Sequence, residues 1–235
     1  MRCLITGGAG FIGSHLCEAL LKTGSQLVVI DNQSRQLTAV AQQTVLRLKS
    51  HPNTQWIQGD FSNPQILKQL PRIEQVFHLA ARTGVRESVR YPQPYQATNI
   101  EGFKTLLKWA RTQTLNGFIF ASSSSVYGNQ NGPWPEALQP IPLSPYAQTK
   151  QAGERLLQAF AKDSGCPSLA LRFFTVYGPR QRPDMAIYKF TKALLNQEDL
   201  YLNNPHSQRD YTHISDIIQG VLQAKEYLKQ MEKGQ

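Results

Sequence analysis

Two hydrophobic periods alternate along this chain. Short runs rich in β-branched and other apolar residues at 2–6, 26–31, 54–58, 75–79, 117–122 and 168–173 read as strands. Between them, apolar positions recur at three- and four-residue spacing in 11–23, 38–49, 64–70, 92–112 and 145–164, which read as helices. Three of these helices open on proline, which is tolerated at the first helical position because its missing N–H would have no intrahelical partner there. Strand–helix alternation requires right-handed crossovers, so the expected fold is α/β, a Rossmann doubly wound parallel sheet. After Phe173 the pattern loosens, with a helix near 185–195, a short strand near Leu200 and a last helix from about Ile214. We expect a Rossmann domain over 1–173 and a small C-terminal substrate lobe over 174–235, whose final helix returns to the Rossmann domain. The chain stops in Lys229-Gln230-Met231-Glu232-Lys233-Gly234-Gln235, a polar end without a closing strand.

The 235 residues suffice for one sizeable core. No apolar run approaches the length that spans a bilayer, and the first residues enter a strand directly, so the expectation is a cytoplasmic protein with neither signal peptide nor membrane partner. Cys3, Cys17 and Cys166 are far apart and lack zinc-site spacing; they read as reduced, buried small residues, and no metal is expected. The net charge of +9 is scattered rather than blocked, which argues against a nucleic-acid partner. It suits a pyrophosphate-containing substrate with a further carboxylate, and it suits an ordinary solvated surface equally well.

Chemistry enters at the first turn. Gly7, Gly10 and Gly13 follow a strand and open a helix, so the backbone can turn tightly and bring a pyrophosphate onto the free N–H groups around Phe11 and Ile12. Asp31, followed by Asn32, ends the second strand, where a carboxylate accepts hydrogen bonds from a ribose diol and repels a 2′-phosphate. This favours NAD over NADP, although Arg35 lies close enough to meet a 2′-phosphate. Asp60 and Phe61 end the third strand beside the expected adenine, and Leu79, Ala80 and Ala81 border the dinucleotide's path. His78, at a strand end, reads as a packing residue more readily than as a base.

Tyr146 and Lys150, four apart on a helix, share a face, and a nearby ammonium favours phenolate over phenol. Ser122-Ser123-Ser124-Ser125 ends the fifth strand at the sheet's carboxyl edge, where hydroxyls can hold a sugar oxygen or merely satisfy a turn. With the glycine loop upstream, the set builds a base for alcohol protons.

At these motifs the chain resembles the extended short-chain dehydrogenase/reductase family, specifically its NAD-dependent epimerase/dehydratase members, over nearly its whole length. The resemblance implies that Ser123, Tyr146 and Lys150 are catalytic, that Tyr146 and Lys150 also hold the nicotinamide ribose, and that Asn99 in Thr98-Asn99-Ile100-Glu101-Gly102 belongs with the cofactor-binding residues. Within the family, Arg172-Phe173-Phe174-Thr175-Val176-Tyr177-Gly178-Pro179-Arg180-Gln181-Arg182-Pro183-Asp184-Met185-Ala186 and Gly84-Val85-Arg86 are most similar to UDP-glucuronate 4-epimerases. Arg86 and Arg182 are then carboxylate candidates, with pairing to a structural carboxylate or to phosphate as the alternative. Ser124, Ser125 and Thr175 join the substrate set, and Arg209 in Arg209-Asp210-Tyr211-Thr212-His213 would meet the UDP diphosphate.

The implied reaction is reversible oxidation at the sugar C4: Tyr146 takes the hydroxyl proton, hydride passes to NAD and returns to the opposite face of a 4-keto sugar, and no net redox results. Other UDP-sugar epimerases, a dehydratase, a decarboxylase or a dinucleotide-binding protein without catalysis are the alternatives. Family members continue for several tens of residues beyond Gln235, so the lobe is expected to be partial. The helices after Pro92 and Pro145, which carry Phe103, Leu106, Leu107, Ala110, Leu156, Leu157 and Phe160, form a homodimer seam in the family, and these apolar positions also suit a core.

Overall fold

A computed structural model describes residues 1–34, 37–202 and 208–233. Strands β1 (Arg2–Thr6), β2 (Gln26–Asp31), β3 (Thr54–Gln58), β4 (Gln75–His78), β5 (Gly117–Ser123) and β6 (Ser168–Phe173) form one parallel sheet in the order β3-β2-β1-β4-β5-β6. The order reverses between β1 and β4, the switch point at which open α/β sheets bind ligands beyond their strands' carboxyl ends.

The helices are α1 (Phe11–Lys22), α2 (Ala39–Ser50), α3 (Pro64–Lys68), α4 (Val85–Arg90), α5 (Pro92–Gln96), α6 (Phe103–Ala110), α7 (Pro145–Ser164), α8 (Ala186–Leu195) and α9 (Ile214–Lys233). The two-residue period of the strands splits the core. Leu4, Val28 and Ile30 face one layer with Leu67, Phe103, Leu106, Leu107, Leu157 and Phe160; Cys3, Ile5, Leu27 and Val29 face the other with Leu16, Leu20, Leu48, Ile218, Val221 and Leu228. Each fully buried Leu or Phe contributes about 1.5–3 kcal/mol. The last helix therefore returns to the Rossmann sheet, on the same face as α1. The apolar positions of α6 and α7 expected at a seam pack mostly inside the chain, Leu156 only partly. All three cysteines are buried, and burial raises the Cys3 thiol to about 11 and that of Cys17 further.

The structure corrects two expectations. The helix over 92–112 is interrupted by a wide π turn, Ala97–Gly102, and preceded by the unexpected α4. No strand forms at Leu200, where residues 199–202 are irregular and exposed. Instead β7 (Thr175–Tyr177) pairs in parallel with β8 (Tyr211–His213), too short for either to show a period. Arg35, Gly234 and Gln235 lie outside the described residues.

Candidate active site

The carboxyl edge of the sheet opens into a groove of about 510 Å³. At one end the glycine loop is compressed backbone against backbone: a Cβ on Gly13 would lie 2.1 Å from the Gly7 carbonyl oxygen, and Gly7 has φ +80°. Gly10, the N-cap of α1, offers no side-chain acceptor, so the first N–H groups of the helix at Phe11 and Ile12 are left for an anion. Asp31 Oδ2 accepts from Ala9 N at 2.9 Å and Oδ1 from Gln33 N at 2.7 Å, which ties the loop to the end of β2. Burial raises the Asp31 carboxyl, and those two N–H groups and Lys49 oppose it. Each oxygen keeps a lone pair for a ribose hydroxyl. Asn32, Asp60, Phe61, Leu79, Ala80 and Ala81 line the same stretch, and Asp60 Oδ1 accepts from both N (2.8 Å) and Oγ (2.7 Å) of Ser62. The cradle fits a dinucleotide: the only side chains it needs at the pyrophosphate are absent ones.

The groove continues to Ser123, Tyr146 and Lys150. Ser144 caps α7 by accepting from Ala147 N, Pro145 fixes its first turn and Gly165, at φ +68°, ends it. That start sets Tyr146 at the groove and Lys150 one turn on, with Nζ 6.0 Å from the Tyr146 ring centre. Lys150 is 3% exposed; its Nζ donates to the Ala121 carbonyl at 2.7 Å and lies 4.9 Å from the centre of the Phe120 ring. Burial pushes it down to about 7, opposed by the Glu154 carboxylate one turn further on. Glu154 in turn accepts a fork from Arg172 at 2.9 Å on each oxygen and a short bond from Ser122, fixing the end of β5 against α7. Ser123 Oγ accepts from Ser125 N at 3.2 Å and lies 2.9 Å from Ser125 Oγ.

Two supports of Tyr146 have no sequence signature. Buried Ser88 accepts from Tyr146 N at 3.1 Å while donating to the Val85 carbonyl, and Tyr95 meets the Tyr146 ring edge-on at 6.4 Å. Ser88 comes from α4, a helix too short for its apolar spacing to announce it, and Tyr95 from α5, inside the expected helix but distant in the chain from Tyr146.

Several expected site residues lie elsewhere. Asn99 is buried behind the groove lining: its Oδ1 accepts from Arg82 N and its Nδ2 donates to the Arg82 carbonyl and Thr149 Oγ1, so it pins the loop after β4 to α7. Arg86 is exposed on α4, Arg209 is exposed with Nη1 on the Gln208 carbonyl, and neither borders the groove. Ser124 and Ser125 form the turn behind Ser123, and Thr175 begins β7 with its N–H on the Asp210 carbonyl; these three are also outside the lining. Arg182 does line the groove, but its fork is taken by Asp184 and its Nη1 by Thr83, the structural-carboxylate pairing that its chemistry allowed. Phe174, Arg180, Gln181, Pro183 and Met185 complete this side, and a loop without periodicity gave no reason to select them. His78 is buried against Phe103 and Phe120 with Nδ1 2.7 Å from Thr6 Oγ1; burial and then the Lys150 charge hold it neutral, which suits packing.

A family model described as the NAD-dependent epimerase/dehydratase family matches residues 3–235. The chain is 41% identical over 229 residues to an uncharacterized UDP-glucose epimerase, YtcB, of Bacillus subtilis, covering 94% of this chain and 71% of that one. It is 38% identical over 225 residues to the UDP-glucuronate 4-epimerase of Thermodesulfobacterium geofontis, covering 93% and 70%. Among solved structures, the UDP-glucuronic acid 4-epimerase of Bacillus cereus, in complex with UDP-glucuronic acid and NAD, superposes with a TM-score of 0.87 at 42% identity, covering 95% of this chain and 73% of that one.

Proposed function

This chain belongs to the NAD-dependent epimerase/dehydratase family, and we propose that it interconverts UDP-glucuronate and UDP-galacturonate. The observation that carries this reading is the convergence of Ser123, Tyr146 and Lys150 with the glycine cradle on one groove, in a chain so similar to an enzyme crystallised with that substrate and NAD.

Gly7, Gly10, Phe11, Ile12 and Gly13 would hold the NAD pyrophosphate, Asp31 and Asn32 the adenosine ribose, and Asp60 and Phe61 the adenine side, while Leu79, Ala80 and Ala81 border its path. NAD, when bound, supplies reversible hydride acceptance at the sugar C4. Tyr146 Oη takes the C4 hydroxyl proton, Ser123 Oγ holds the same oxygen, and the Lys150 charge favours the phenolate. The 4-keto sugar turns over within the groove, and Tyr146 returns the proton to O4 of the epimer. Lys150 at about 7 stands where a small change in occupancy decides its charge.

A uronate carboxylate placed on Arg182 would take over the position of the Asp184 carboxylate. Because that fork is already engaged, a neutral UDP-hexose is the second reading. We assign the dinucleotide to residues 1–173 and the sugar nucleotide largely to 174–235, and further infer a cytoplasmic homodimer through the outer faces of α6 and α7, supported by the family resemblance. No described helix is long and apolar enough to cross a membrane.

The test incubates the purified chain with NAD and either UDP-glucuronate or UDP-glucose and separates the products by anion exchange and sugar analysis. Formation of UDP-galacturonate without carbon dioxide release, lost in Tyr146→Phe, is expected. Turnover of UDP-glucose alone would transfer the assignment to neutral hexoses.

A further inference from the structure

Arg180 is the most completely enclosed cation on the substrate side of the groove. It sits in the turn between β7 and α8 with φ +68°, a left-handed conformation that costs energy for any residue with a Cβ. Its side chain is 7% exposed. Nη2 donates to Glu18 Oε2 at 2.7 Å and Nε to His15 Nε2 at 3.2 Å, both on α1. Nη1 is buried and meets no acceptor among the described residues. A packing role would avoid these costs, since an apolar side chain could fill the space without a buried charge or an idle donor.

The histidine in this contact has a determined tautomer. His15 Nδ1 lies 2.8 Å from the Phe11 carbonyl, an acceptor only, so Nδ1 carries the proton and Nε2 is free to accept from Arg180. Phe11 lines the cofactor end of the groove, and Arg180, Gln181 and Arg182 line the substrate end. A chain of contacts thus runs from the first residue of α1 through His15 to the turn that carries Arg182.

We infer that Arg180 is a positioning residue for the sugar nucleotide, locking the β7–α8 turn to α1 so that Gln181 and Arg182 are held in the groove. The inference rests on the proposed function for the identity of the ligand. Protonated His15 would present a second donor and a second cation to Arg180, so the lock holds only while His15 is neutral. Burial and then the Arg180 charge lower His15, the Phe11 carbonyl and Glu18 oppose this, and His213 from β8 adds to the lowering; Arg47 from α2 reaches Glu18 at 3.5 Å.

Titration calorimetry of the whole chain, with UDP-glucuronate and NAD measured separately, tests this. Arg180→Gln is expected to weaken UDP-glucuronate roughly tenfold or more and NAD by no more than about twofold. In the wild type, UDP-glucuronate affinity falls as the pH drops through the acid side of about 6.5, the ordinary imidazole value. That acid loss disappears in His15→Gln, whose amide still offers an acceptor but does not titrate. Unchanged UDP-glucuronate affinity in Arg180→Gln, equal losses for both ligands, or an acid loss that persists in His15→Gln would each overturn the inference. If the wild type binds no UDP-glucuronate, the proposed function fails, and UDP with the same variants then carries the test of Arg180 alone.

Discussion

Replacing Lys150 by methionine should stabilise the ligand-free protein while abolishing turnover, because the residue is held at a cost. Its pKa falls from 10.5 to about 7 on burial. The difference corresponds to about 5 kcal/mol of preference for the neutral form, an upper bound on the penalty for keeping the charge at low pH. Against that, Lys150→Met leaves the Ala121 carbonyl without its 2.7 Å donor, at a cost of about 1–3 kcal/mol. A net gain of roughly 2–4 kcal/mol follows at or below pH 7. The sign follows from proton counts: between about 7 and 10.5 the unfolded chain binds a proton that the folded chain does not, so wild-type stability rises with pH across that window. Below it both states are protonated and the penalty is fully present; above it neither is. Urea unfolding of ligand-free wild type and variant from pH 6 to 10 isolates this group, because the other titrations cancel in the difference between the two curves. Wild-type minus variant stability should climb with pH by several kcal/mol, so the variant's advantage shrinks. A flat difference would mean that Lys150 keeps its ordinary pKa in the folded state and would refute the burial argument.

Gly13→Ala drives a methyl to 2.1 Å from the Gly7 carbonyl oxygen and should lower unfolding free energy by about 1–3 kcal/mol and weaken NAD more than UDP-glucuronate, read by denaturation and calorimetry. Asp31→Asn keeps one acceptor oxygen but loses the charge, so NAD affinity should fall while NADP improves relative to it; fluorescence titration with both nucleotides checks the ratio. Asn99→Ala releases the Arg82 backbone and Thr149, and a loss of about 2–4 kcal/mol in stability with a smaller change in NAD affinity is expected from the same measurements.

How much of the site could be read from the chain depended on the range over which each feature is decided. Gly10 and Gly13 were legible because their constraint is local, a Cβ on either meeting the Gly7 carbonyl, and Gly7 because the turn itself needs its positive φ. Tyr146 and Lys150 were legible because one helical turn relates them and Ser144-Pro145 marks where that helix begins. Arg86 and Arg209 were selected through segments that resemble the family's, and such a match does not say which way a short helix or a strand end faces.

By itself the sequence determined the six strands β1 to β6, the long helices such as α1, α2 and α7 and the loop on which a pyrophosphate can rest, because periods of two and 3.6 residues state which face of each element is buried. Only the tertiary structure decided that Asn99 braces Arg82 and Thr149, that Ser88 and Tyr95 support Tyr146, that β7 finds β8, and that Asp184 occupies Arg182 while His15 and Glu18 hold Arg180. Most of these contacts join residues far apart in the chain or in segments too short to carry a period. Their partners are chosen by which surfaces the packed sheet brings together, a choice that leaves no local pattern to read.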